Sequence, residues 1–94
     1  MAKAIVVGHI GTEHDGFPPT AVICGSPTIF IDGSPASRQG DALDPHSKPK
    51  HPPHPRSISG GSSTVMFDGK PAARVGDPID CGGVLAGSST VNVG

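Results

Sequence analysis

The strongest constraint in this 94-residue chain is that it repeats itself. Residues 25–41, GSPTIFIDGSPASRQGD, align with residues 61–77, GSSTVMFDGKPAARVGD, and 10 of the 17 positions coincide. The closing segment 87–94, GSSTVNVG, repeats the front of the same unit, and Val7-Gly8-His9 resembles its rear, Val75-Gly76-Asp77. Three structural units follow, two complete and one divided between the chain's ends.

Each complete unit reads as a β-hairpin. Thr28-Ile29-Phe30-Ile31 and Thr64-Val65-Met66-Phe67 are runs of β-formers, and each leads into Asp-Gly, at 32–33 and 68–69. That dipeptide favours a type I′ turn, whose twist matches that of paired strands. Pro35 and Pro71 follow at once, so the returning strands are predicted to be short or at an edge, where a missing N–H costs no ladder bond. No twelve-residue window free of Gly and Pro has helical periodicity. The fold class is therefore all-β: a single domain over 1–94 in which three hairpin units share a core around a pseudo-threefold axis. The hairpins would form a triangular base, and the connecting loops would converge into a pointed cone.

Such a body is poor in core material. Hydrophobic residues make up 34% of the chain, and Phe17, Phe30 and Phe67 are its only aromatics among Phe, Trp and Tyr. Apolar burial alone is a weak counterweight to chain entropy at this size, so a disulfide, a metal or oligomerisation is expected to contribute. The start, MAKAIVVGHIG, has too short an apolar run for a signal peptide, so synthesis in the cytoplasm is expected, with export only as part of a larger particle. A disulfide between Cys24 and Cys81 is then the less expected state, and Cys24, in what reads as a strand, is expected to be a small buried thiol. A formal charge of −1 offers no basic patch for nucleic acid or anionic lipid.

The metal candidates follow from the repeat frame. If Gly8-His9, Gly40-Asp41 and Gly76-Asp77 are equivalent, His14 and His46 each lie five residues after the second member, and Cys81 lies four after. Each loop thus offers one metal-capable side chain. A tetrahedral site needs a fourth, and the proline-rich loop PHSKPKHPPHPRS can supply His54, the preferred candidate, or His51. His14, His46, His54 and Cys81 suit zinc over iron, and would leave no open position for hydrolytic chemistry. The alternative is that this segment is a solvated, flexible loop. A triad built from Cys81, His54 and Asp80 is disfavoured because so small a chain has little room for a substrate pocket. Gly60-Gly61-Ser62-Ser63 and Gly82-Gly83 read as turns rather than phosphate cradles. Arg38 and Arg74, each preceding Gly-Asp, are expected to form ion pairs with Asp41 and Asp77 or with a neighbouring unit.

Pro71-Ala72-Ala73-Arg74, with Pro35-Ala36-Ser37-Arg38 in the same frame one substitution away, resembles the motif that names the PAAR-repeat family. The resemblance covers nearly the whole chain, and His14, His46, His54 and Cys81 fall where that family's metal ligands would. It implies a sharp cone with zinc near the vertex, seated one per trimer on a trimeric β-helical spike protein. Such tips belong to type VI secretion systems, phage tails and related injection particles, and meet a target membrane only transiently. Thr28–Ile31 and Thr64–Phe67 would extend the spike's β-structure. Effectors could dock on such a tip, but with no toxin-like extension the chain is expected to be a bare structural tip and not an enzyme. The competing expectation is a free-standing metal-buffering or metal-dependent hydrolytic protein.

Overall fold

In a computed structural model that describes residues 2–94, the described residues form eleven strands and no helix. In chain order these are β1 (Ala2–Lys3), β2 (Ile10–Gly11), β3 (Thr20–Ala21), β4 (Phe30–Ile31), β5 (Ser34–Pro35) and β6 (Ala42–Lys48). They continue as β7 (His51–Ser57), β8 (Met66–Phe67), β9 (Lys70–Pro71), β10 (Leu85–Ala86) and β11 (Asn92–Val93). Both Asp-Gly pairs make the tight turns their chemistry favours. Asp32 and Gly33 take φ of 53° and 80°, Asp68 and Gly69 take 54° and 78°, and positive φ at both central positions is the signature of type I′. The turns join β4 to β5 and β8 to β9, with Phe30 opposite Pro35 and Met66 opposite Pro71. The two ends of the chain make a third antiparallel pairing, with Lys3 opposite Asn92 and Ala2 opposite Val93.

The segments that follow these pairings meet at a closed cycle. Ile5 N–H donates to the Ala73 carbonyl at 3.1 Å, Ala73 N–H to the Ser37 carbonyl at 3.0 Å, and Ser37 N–H to the Ile5 carbonyl at 2.9 Å. Bridges flank the cycle in the same rotation: Ala4 with Arg74, Ala36 with Val6, Ala72 with Arg38. Because strand side chains alternate between faces, the cycle separates two apolar layers. Ala4, Val6, Ile31, Ala36, Ala72 and Val93 form one, covered by Ile29, Val65 and Phe67 from the hairpins. Ile5, Val22, Leu43, Ile58, Ala73, Ile79 and Leu85 form the other, with Cys81 packed against it. Small residues at 36, 37, 72 and 73 are what three converging backbones leave room for. The same crowding explains Gly25 and Gly61, where an added Cβ would sit 2.9 Å and 2.8 Å from the Cβ of Pro35 and Pro71.

Polar contacts lock neighbouring units. The Asp32 carboxylate accepts from the Thr90 amide and hydroxyl at 2.8 and 2.6 Å, and Asp68 accepts from the hydroxyls of Ser26 and Thr28. These hydrogen bonds hold both carboxyls below their ordinary pKa. At the matching place in the third unit, the Gly94 carbonyl accepts from the Ser62 hydroxyl at 2.6 Å. The expected ion pairs form within units, where Arg38 and Arg74 each donate a backbone and two guanidinium N–H groups to Asp41 and Asp77 at 2.7–3.1 Å, and Arg38 Nη1 also lies 3.6 Å from the Asp68 carboxylate of the next unit. In the first unit His9 takes the aspartate's role, its Nδ1 accepting from the Val6 amide at 3.1 Å.

Two expectations need correction. The proline-rich segment is not a loop: β6 and β7, the longest strands, pair through it with His46 opposite His54 and a turn at Pro49-Lys50. Both strands of a two-stranded ribbon are edges, so prolines at 45, 52, 53 and 55 can turn their missing donors outward, and the register shifts around His46 absorb the remainder. Cys24 is exposed and lies outside any strand, because pairing ends with the Val22 bridge to Leu43 and the chain then turns outward through Ile23. Both cysteines are free thiols.

The central cycle is predicted to tolerate no added bulk. Ala73→Leu should lower stability by about 1–3 kcal/mol in urea unfolding, the usual cost of overpacking. A change at an exposed position of the same repeat, Ser63→Ala, should stay within about 0.5 kcal/mol.

Candidate metal centre

Four segments deliver the candidate donors. His46 and His54 face each other across the β6–β7 ribbon. His14 stands at the foot of a tight turn: Asp15 and Gly16 adopt φ of 46° and 82°, and His14 bridges to Phe17. Cys81 precedes Gly82-Gly83, a pair with φ of 121° and 84°. Gly82 lies against the His14 ring, where a Cβ would come within 2.9 Å of Cγ, so glycine at this position brings the cysteine segment up to the histidine.

The donor atoms converge. His14 Nε2 lies 2.9 Å from His46 Nε2, which is 2.6 Å from His54 Nε2 and 3.8 Å from Cys81 Sγ. One donor atom from each of the four residues lies within 4.8 Å of the others. His51, the other candidate for the fourth position, is exposed and outside this group.

The chemistry of the set fits a metal. The Pro18 carbonyl accepts a hydrogen bond from His46 Nδ1 at 2.8 Å, which places the ring proton on Nδ1 and leaves a lone pair on Nε2 facing the other donors. Burial, chiefly, pushes the His46 pKa down, and the nearby Arg56, His54 and His14 add to the shift, so the neutral, ligating form is favoured. Three imidazole nitrogens and a sulfur are a donor set for tetrahedral zinc, which would space its nitrogens about 3.3 Å apart at ordinary bond lengths. The two spacings at His46, 2.9 and 2.6 Å, are tighter than that. Calcium and magnesium, which take oxygen ligands, do not suit it.

Two supporting residues were not singled out from sequence. Phe17 covers the cluster, its ring stacked at 4.9 Å on His46 and 5.3 Å on His14 and set edgewise at 4.5 Å to His54. The signal available was a lone aromatic three residues after a candidate ligand. Arg56, two residues after His54, is buried and donates to Cys81 Sγ at 3.4 Å. In sequence it looks like any charged residue at the end of a polar stretch.

No curated protein matches the chain. A family model described as PAAR motif matches residues 12–87, a span that contains all four candidate donors and both copies of the Pro-Ala-x-Arg segment. Extending over well more than half of the sequence, that match shows that the chain belongs to the PAAR motif family.

Proposed function

We propose that this chain is the structural tip of a contractile injection machine: a cap on a trimeric β-helical spike, closed by one zinc ion bound to His14, His46, His54 and Cys81. The observation that carries the reading is the convergence of four zinc-type donors from separate segments in a body with little apolar core. Bound there, zinc would tie the converging segments together and contribute folding free energy directly.

The two ends of the molecule suit different tasks. The donor cluster lies on the Cys81 side of the central hydrogen-bond cycle, and the hairpins lie on the other. The hairpin side presents Phe30 and Met66 at equivalent positions, 59% and 52% exposed, together with Val91. Large apolar side chains held on short strands with open edges are what a docking surface for the end of a β-structured trimer requires. The body measures 40 × 23 × 22 Å, elongated as a tip should be. The residues would act by shape and rigidity, with the whole sequence as one domain, made in the cytoplasm, loaded onto the particle and brought briefly against a target membrane. Effectors would be further passengers on its sides. Four protein donors complete a tetrahedron and leave no position for a reacting water, which favours a closed structural site over the free-standing hydrolytic alternative.

Two outcomes are expected. His54→Ala should strip the metal and lower unfolding stability by about 4 kcal/mol or more, the range of substitutions that remove a bound metal, while His51→Ala should leave metal content and stability unchanged; equal effects would contradict the ligand set. In a mixing experiment with the cognate trimeric spike, the protein should bind one per trimer, and Phe30→Asp with Met66→Asp should weaken binding at least about tenfold, or ~1.4 kcal/mol, with metal content intact. Failure of the unaltered protein to bind the spike would remove the tip assignment and leave the metal site standing.

A further inference from the structure

Arg56 is the largest fully buried side chain, 1% exposed, and none of the ion pairs among the described residues includes it. A buried cation is costly unless its donors are satisfied and its charge is met. All five of its hydrogen-bond contacts are to neighbouring segments. Nη1 donates to the Gly11 carbonyl at 3.1 Å and the Thr20 hydroxyl at 2.9 Å, and Nη2 donates to the carbonyls of Thr12 at 2.7 Å and Gly82 at 3.1 Å. The fifth acceptor is Cys81 Sγ, 3.4 Å from Nε. Carbonyls and a hydroxyl stay neutral, so the sulfur is the one partner of Arg56 that can carry negative charge.

The fork also spans the cluster's supports. Gly11 and Thr12 lead into the His14 turn, Gly82 follows Cys81, and Arg56 itself stands two residues after His54 on β7. Glycine at 11 and 83 lets the guanidinium in, since an added Cβ at either would lie 3.1 Å from one of its nitrogens. We propose that Arg56 is the positioning residue of the metal centre, its Nε–H···Sγ bond aiming the Cys81 sulfur into the cluster and drawing electron density from it while the other donors lock the segments that carry His14 and Cys81. The proposal rests on the metal reading. It gives the buried guanidinium its counter-charge in the metal thiolate, and gives that thiolate a fixed orientation of the kind outer partners impose on metal ligands.

The direct test uses the full chain loaded with 113Cd. A scalar coupling between 113Cd and the Arg56 Nε proton, carried through the N–H···S bond, is expected; its absence in the unaltered protein overturns the proposal. With Co2+ as probe, Arg56→Met should weaken binding about 10–100-fold, the usual cost of losing an outer partner, and should move the sulfur-to-cobalt charge-transfer band to lower energy. Thr20→Val loosens the same guanidinium without touching the sulfur and should leave the band in place. An Arg56→Met protein with unchanged affinity and band position removes the role of Arg56 alone, and if that variant does not fold, the coupling in the unaltered chain decides. A wild-type protein that takes up Co2+ without any thiolate charge-transfer band overturns the Cys81 ligand assignment and the proposal with it.

Discussion

Ile5, Ser37 and Ala73 donate to one another's carbonyls in a cycle that has no free end, and all three are fully buried. A buried amide without a partner is expensive, so each of the three strands is held in register by the other two, and none can slip without breaking two bonds of the cycle. Much follows from that geometry. The converging backbones admit only small residues at 36, 37, 72 and 73, and strand alternation then assigns Ala4 and Val6 to one layer and Ile5 to the other. The hairpins are directed to one side of the cycle and Cys81 to the other. The carboxylates of Asp32 and Asp68, each gripping the Ser/Thr segment of another unit, reinforce the same arrangement from its outer edge.

Away from the cycle the apolar core thins out, and polar chemistry takes over. The ribbon β6–β7 projects two imidazoles at each other, the Asp15-Gly16 turn presents a third, and the Gly82-Gly83 turn presents a thiol. His46 Nε2 lies within hydrogen-bonding distance of both other imidazoles, and burial, chiefly, favours its own uncharged form. A divalent cation held there would accept the lone pairs of the donor atoms. Phe17 roofs the cluster, and Arg56 supports it from the side of the sulfur.

The frame of this fold was legible in the sequence because it depends on local chemistry repeated in place. Asp-Gly turns, the Arg-x-Gly-Asp ion pairs and the offset of His14, His46 and Cys81 from a common Gly-x pair could be read from spacing, and the structure gathers all three side chains with His54. What could not be read is non-local. Proline suggested a loop at 45–55, but a two-stranded ribbon has outward positions that need no donor, and His46 and His54 face each other through that ribbon. Cys24 looked like core because it follows Val22 and Ile23, yet pairing stops at Val22. Arg56 lies outside the repeat, and its partners Gly11, Thr12, Thr20 and Gly82 are at least 26 residues away, so no local pattern announces that it is buried.

The proposed tip role asks a small chain with little apolar core to be stiff. On the proposed reading, that stiffness comes from a metal held by His14, His46, His54 and Cys81. The decisive measurement is elemental analysis with native mass spectrometry on protein purified without added metal, followed by thermal unfolding before and after chelation. One zinc per chain and a cooperative structure lost when the zinc is removed are the predicted results. A protein that is isolated metal-free and unfolds at the same temperature with or without chelator would contradict the account.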